Sequence, residues 1–190
     1  IGVVPNAALA KEAGIKTDRG VLVDDQLQTG TKGVYAAGDV AQARDMITED
    51  NRVVPIWPNA YNQGYYAGRN MAGAGEKYEG GLAMNSISFY GLPTVSVGQV
   101  NPPKPEEYEI SFHLDEKRQT YRKLVFKDDR LVGYVLVGDI DNAGMYTSFI
   151  KFRMPLPGDA KRTLMHGEPG VFLWPEQVFE KTWNPDGGGK

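Results

Sequence analysis

Residues 29–41, Thr-Gly-Thr-Lys-Gly-Val-Tyr-Ala-Ala-Gly-Asp-Val-Ala, constrain this chain more than any other stretch. The apolar run Val34 to Ala37 is short, small-sided and bounded by glycines, which is expected of a buried strand and too brief for a helix. Gly38 at its carboxyl end lets another group approach the backbone, and Asp39 sets a carboxylate at the mouth of the sheet. Open α/β sheets bind ligands at that place, so the stretch is a cofactor-site candidate on physical grounds. A Gly-Asp turn without a ligand would carry the same residues.

The rest of the composition narrows the function classes. At 190 residues and 41% apolar the chain can hold one large domain or two small ones around a real core. A formal charge of −3 gives no electrostatic footprint for nucleic acid. No polybasic run suits an anionic membrane surface, and no apolar stretch approaches the ~20 residues of a membrane span. Cysteine is absent, which excludes disulfides and thiolate metal sites within these residues and fits a reducing, cytoplasmic compartment. His113 and His166 are the only histidines, so no histidine-rich metal site is expected. The chain begins at Ile1 inside an apolar run, without a signal-peptide pattern or an initiator methionine, as expected of the middle of a longer polypeptide.

Taken in order, Ala7–Ala13 reads as a helix with Asn6 as N-cap and Gly14 as its stop. Val21–Val23 reads as a short strand, and the charged segment Gln42–Val54 reads as a loop. A second helix is signalled from Trp57-Pro58-Asn59-Ala60 to Met71, with Pro58 suited to its first turn. Small residues at 60, 64, 67, 68 and 72 fall largely on one face, where they permit close packing against a sheet or a bound ring. Gly80-Gly81 marks a domain boundary. Beyond it, Ser86–Tyr90, Thr94–Val100, Tyr108–Leu114, Thr120–Phe126 and Leu131–Val137 read as strands. Asp128-Asp129 makes the last two a hairpin, and alternation of Leu124 and Phe126 with lysines suggests one buried and one wetted face. A helix from about Asn142 places Met145, Phe149 and Phe152 on its core face. A short helix is expected near Asp159–Leu164, and the rings of Phe172, Trp174, Phe179 and Trp183 call for a surface to cover.

Three segments together resemble the carboxyl-terminal half of FAD-dependent pyridine nucleotide-disulfide oxidoreductases. These are Ile1-Gly2-Val3-Val4-Pro5-Asn6, the Thr29…Gly38-Asp39-Val40-Ala41 stretch, and Trp57-Pro58-Asn59-Ala60…Gln63-Gly64. The last resembles the rubredoxin-reductase and nitrite-reductase flavoprotein branch. Leu131–Asp139, continuing to Asn142-Ala143-Gly144, is similar to that branch's small C-terminal domain. The resemblance implies an α/β plus α+β chain. Residues 1–79 would be the second half of an FAD-binding Rossmann-like domain, 80–153 a small antiparallel-sheet C-terminal domain, and 154–190 an aromatic, proline-rich tail. It implies FAD as cofactor, with Gly38, Asp39, Val40, Trp57, Asn59 and Ala60 in contact with it. Asp39 would take the ribityl hydroxyls, the amides of Asp39 and Val40 would face the pyrophosphate, and the helix at Asn59-Ala60 would aim at the flavin's pyrimidine edge. Trp57 would lie beside the isoalloxazine ring.

No Gly-x-Gly-x-x-Gly fingerprint occurs, so the dinucleotide cradles of FAD and NAD(P)H are expected upstream of this chain, which alone should not turn over. No catalytic residue or metal ligand is assigned. The leading expectation is an oxidoreductase portion passing hydride from NAD(P)H through FAD to an acceptor, which a partner protein could be. The rival is a non-catalytic dimerisation or partner-docking module. An unpaired strand edge and the tail aromatics both predict a homo-oligomer.

Overall fold

The computed structural model describes residues 2–156 and 158–166. Residues 167–190, with the aromatic residues Phe172, Trp174, Phe179 and Trp183, lie outside the described residues, as do Ile1 and Pro157. Near the amino terminus, helix α1 (Ala8–Glu12) starts from Ala7 without a side-chain cap, so Asn6 does not perform the expected capping. Gly14 ends it at φ +75°, the left-handed conformation that favours glycine.

Strand β1 (Val21–Leu22) pairs in parallel with β2 (Ala41–Arg44), which pairs antiparallel with β3 (Asn51–Arg52). The expected loop over Gln42–Val54 is therefore wrong in part. Ala-Gln-Ala-Arg carries almost no hydrophobic signal, and what makes it a strand is a satisfied polar side chain. Gln42 is buried because its Oε1 accepts the amides of Arg19 and Gly20 at 3.0 and 3.2 Å, while Nε2 donates to Asp18 at 3.1 Å.

Val34–Ala37 is not a strand either. It makes one isolated bridge, Tyr35 to Gln28, and Val34 is 36% exposed. The Thr29 amide donates to the Val34 carbonyl at 2.8 Å and the Ala36 amide to that of Leu27 at 3.1 Å, so the run folds back on its own approach. Among the described residues no strand lies alongside it. Its burial comes from one side only, where Tyr35, Ala36 and Ala37 pack on Val23, Leu27, Ala43, Ala67 and Tyr78.

Helix α2 (Trp57–Met71) starts where Pro58 predicts, but of the small residues it buries only Ala67 and packs Ala60 on Gly38. Its buried residues are Asn59, Gln63, Ala67 and Asn70, and a Cβ added at Gly64 or Gly68 would meet nothing within 4 Å. Three amides at helical spacing define the packed face because each finds backbone partners, which offsets the cost of burying them.

The strands β4 (Met84–Phe89), β5 (Leu92–Gly98), β6 (Glu109–Asp115), β7 (Thr120–Lys127) and β8 (Arg130–Val137) match the five expected ones and form a sheet of order β4-β5-β8-β7-β6. The last three are an antiparallel meander, with β7 and β8 joined through Asp128-Asp129. Both turn residues have positive φ, 48° and 55°, the conformation of a tight turn whose twist suits a hairpin. Alternation on β7 fails at one place. Leu124, Val125 and Phe126 are all buried, because a bulge between Val125 and Phe126 returns the second apolar residue to the core side.

The described chain divides into two units, residues 2–88 with 95–99 and residues 89–94 with 100–166. In the second, α3 (Ala143–Lys151) covers one face of the meander with Tyr146, Phe149 and Ile150. Phe152, expected on that face, is 60% exposed. The phase is set by Tyr134, whose ring lies 5.4 Å from that of Tyr146 and whose hydroxyl donates to the Ala143 carbonyl at 2.9 Å. Helix α4 (Gly158–His166) follows, as expected. No helix among the described residues is long and apolar enough to cross a membrane.

Candidate functional site

The site is built on two short pieces of backbone within the first unit. One is the turn Gly38–Ala41, closed by the Ala41 amide donating to the Gly38 carbonyl at 2.9 Å. Gly38 takes φ +83°, and a Cβ built there would sit 3.6 Å from that of Ala60, so the turn rests directly on the first turn of α2. Its far side is fixed by the Val21 amide, which donates to the Val40 carbonyl at 2.8 Å. Between these anchors Asp39 is exposed, and among the described residues its carboxylate has no hydrogen-bond or ion-pair partner. Val40 is half-buried.

The other piece is the amino-terminal end of α2. Ile56 enters it extended, at φ −141° and ψ 148°, and no side chain caps it. Ala60 makes the first intrahelical bond, to Ile56, at 3.0 Å. Helical geometry therefore leaves the Trp57 and Asn59 amides without an intrahelical acceptor, and Pro58 has no N–H to satisfy. This end carries the positive pole of the helix dipole.

The six sequence-predicted residues fall into different roles. Gly38 and Ala60 are brought into contact. Asp39 and Trp57 present side chains to solvent, Trp57 at 86% exposure. Asn59 turns inward instead: its Nδ2 donates to the Val54 carbonyl and its Oδ1 accepts the Leu82 amide, both at 3.3 Å. Only the backbone of Asn59 is left to a ligand.

Two further residues shape the site. Gln63, 3% exposed, accepts the Gly38 amide through Oε1 at 2.8 Å. Tyr78 packs beneath α2, with its ring 5.6 Å from that of Tyr66. Burial pushes the Tyr78 phenol above its usual value, and Gln63 nearby offsets part of that rise. The hydroxyl still completes no hydrogen bond of ordinary geometry among the described residues, so the Gln63 contact is close but poorly aligned. Periodicity was the available signal for Gln63: it lies four residues after Asn59 and seven before Asn70, on one helical face.

Chemically, the arrangement offers an open carboxylate for hydroxyl donors beside uncapped amides and a positive helix end. These groups suit a ligand that brings hydroxyl donors to the carboxylate and an electron-rich group to the helix end.

Residues 1–64 match the family model for pyridine nucleotide-disulphide oxidoreductase, and residues 84–154 match that for the rubredoxin NAD+ reductase C-terminal domain. The chain is 32% identical over 155 residues to the assimilatory nitrate reductase electron transfer subunit of Bacillus subtilis, covering 80% of this chain and 19% of that protein. It is 35% identical over 158 residues to the NADH-dependent phenylglyoxylate dehydrogenase subunit epsilon of Aromatoleum evansii, covering 82% of this chain and 37% of that one. The crystal structure of NADH:rubredoxin oxidoreductase from Clostridium acetobutylicum superposes with a TM-score of 0.62 at 25% identity, covering 86% of this chain and 42% of that one. The chain thus spans well under half the length of each of these proteins.

Proposed function

The chain belongs to the pyridine nucleotide-disulphide oxidoreductase family, with a rubredoxin-reductase type of C-terminal domain, and from that premise we propose that it helps to hold FAD in an NAD(P)H oxidoreductase. The observation that carries the reading is the Gly38–Ala41 turn, seated on α2 and presenting an unpartnered Asp39 beside an uncapped helix end.

In this reading the bound FAD supplies the two-electron chemistry between a nicotinamide donor and an acceptor. The chain's residues bind and orient. The Asp39 carboxylate accepts ribityl hydroxyls, Gly38 and Val40 form the close backbone wall, and Trp57 covers an edge of the ring system. The amides at Trp57 and Asn59, with the first turn through Ala60, favour negative charge on the pyrimidine edge. The cradles for the adenine end of FAD and for NAD(P)H belong to residues outside this sequence, so the chain by itself does not turn over. Functionally the divisions are residues 1–79 for flavin, 80–153 for the C-terminal domain, and 154–190 for the tail.

The relatives' names supply the rest of the proposal. One is an electron transfer subunit and one solved structure is an oxidoreductase of rubredoxin, which supports a protein as electron acceptor here. A homo-oligomer in the cytoplasm, where NAD(P)H is at hand, completes the reading. Nothing observed favours a purely non-catalytic module.

The test is Asp39→Ala in the whole protein. Removing the hydroxyl acceptor should weaken FAD binding by about 1–3 kcal/mol, the range for hydrogen bonds to a charged group. Titration of apoprotein with FAD, followed by flavin fluorescence, measures it. Unchanged affinity would reduce Asp39 to a turn residue.

A further inference from the structure

Gln63 lies in the second turn of α2, buried behind the site, where it touches the Gly38 amide but is 3% exposed and so closed to a ligand. Its side-chain orientation is nonetheless decided by chemistry. The Gly38 amide can only donate, so the Gln63 atom 2.8 Å away must be the carbonyl oxygen, and the amide nitrogen faces the other way. The bond joins residues 25 apart in sequence. It ties the leading end of the Asp39 turn to the helix whose first turn forms the other half of the site. The trailing end is held separately, by Val21 on Val40.

We propose that Gln63 is a positioning residue for the cofactor: by holding the Gly38 amide it sets the Asp39 turn against the amino-terminal end of α2. The inference rests on the flavin reading above. Without that bond the leading end of the turn keeps only its packing on Ala60, and Asp39 shifts relative to the helix end, so the two halves no longer meet one ligand in one geometry. The half-buried Gly38 N–H also loses its acceptor.

Asn70 provides the control. It sits on the same face of α2, 6% exposed, and its amide donates to Gln26 and Glu76 and accepts the Glu76 amide at 2.6 Å. Its substitution damages the fold of the first unit without touching the turn.

The experiment compares Gln63→Leu, Gln63→Glu and Asn70→Leu in the whole flavoprotein, measuring melting temperature, the Kd for FAD and the visible circular dichroism of bound flavin. Gln63→Leu should raise the Kd about tenfold, as expected for one buried hydrogen bond, and alter the flavin dichroism. Gln63→Glu retains an acceptor at the same place and should stay within about threefold of the natural protein. Asn70→Leu should lower the melting temperature while leaving the Kd and the dichroism of the folded protein unchanged. If leucine prevents folding, Gln63→Met keeps the unbranched shape without the oxygen and carries the same expectation. Natural affinity and dichroism in Gln63→Leu would overturn the proposal, as would an equal loss in Asn70→Leu, which would mark a general effect of stability. Asp39→Ala separates the two readings: if it weakens FAD and Gln63→Leu does not, only the role of Gln63 falls. A whole protein that holds no flavin overturns both.

Discussion

Gly138 follows β8 with φ +78°, and a Cβ placed there would lie 2.4 Å from the Gln119 carbonyl oxygen. Backbone cannot move aside as a flexible side chain can. Gly138→Ala should therefore destabilise by roughly 2–4 kcal/mol, strain and overlap together, and the urea midpoint of the chain should fall accordingly. Gly64→Ala is the contrast: its added methyl group meets nothing and suits a helix interior, so the midpoint should hold or rise slightly. Legibility at this scale depends on whether a residue type has one plausible use. Gly38 and Asp39 stood out in the sequence because they follow an apolar run at the place where open sheets bind ligands, although a plain turn carries the same pair. Gln42 and Asn70 did not, and Gln63 appeared only as part of a motif, because an amide side chain does not announce the backbone partners it will find inside the fold.

At the scale of elements, the antiparallel meander was the most legible part, since β-branched runs and paired aspartates mark strands and a turn locally. The failures are failures of phase. The sequence placed Phe149 and Phe152 together on the core face of α3, yet they are 0% and 60% exposed. Phe149→Ala should cost about 3–5 kcal/mol by emptying a packed site. Phe152→Ala should stay within about 0.5 kcal/mol, as expected of an exposed position. Chemical denaturation of the two variants distinguishes the faces, and similar losses would refute the phase described. The bulge on β7 produced a second phase error, invisible beforehand because it depends on how β8 pairs. Val34–Ala37 failed for another reason: an apolar run becomes a strand only when neighbours flank it, and the described residues supply none.

Across the whole molecule, three phenols share one behaviour. Burial raises the pKa of Tyr78 in the first unit and of Tyr134 and Tyr146 in the second above the ordinary value of 10.0. Folding thus favours their protonated forms. The contribution is complete below the unfolded value and is lost as pH rises through the raised ones, so stability should begin to fall near pH 10 and keep falling beyond it. Urea midpoints measured from pH 8 upward should show a plateau and then a decline, shallower in Tyr146→Phe. A flat profile would mean that the phenols are hydrated. The tight turn between β7 and β8 bears on the order in which the molecule assembles. A hairpin closed over two residues forms in about 1–10 μs, whereas contacts far apart in sequence await a costlier loop closure. The Gly38–Gln63 bond joins residues 25 apart and so carries the larger closure entropy. We expect the Gly38–Ala41 turn to gain its order after the hairpin does, and hydrogen exchange of the Gly38 amide against the amides of β7 and β8 measures this.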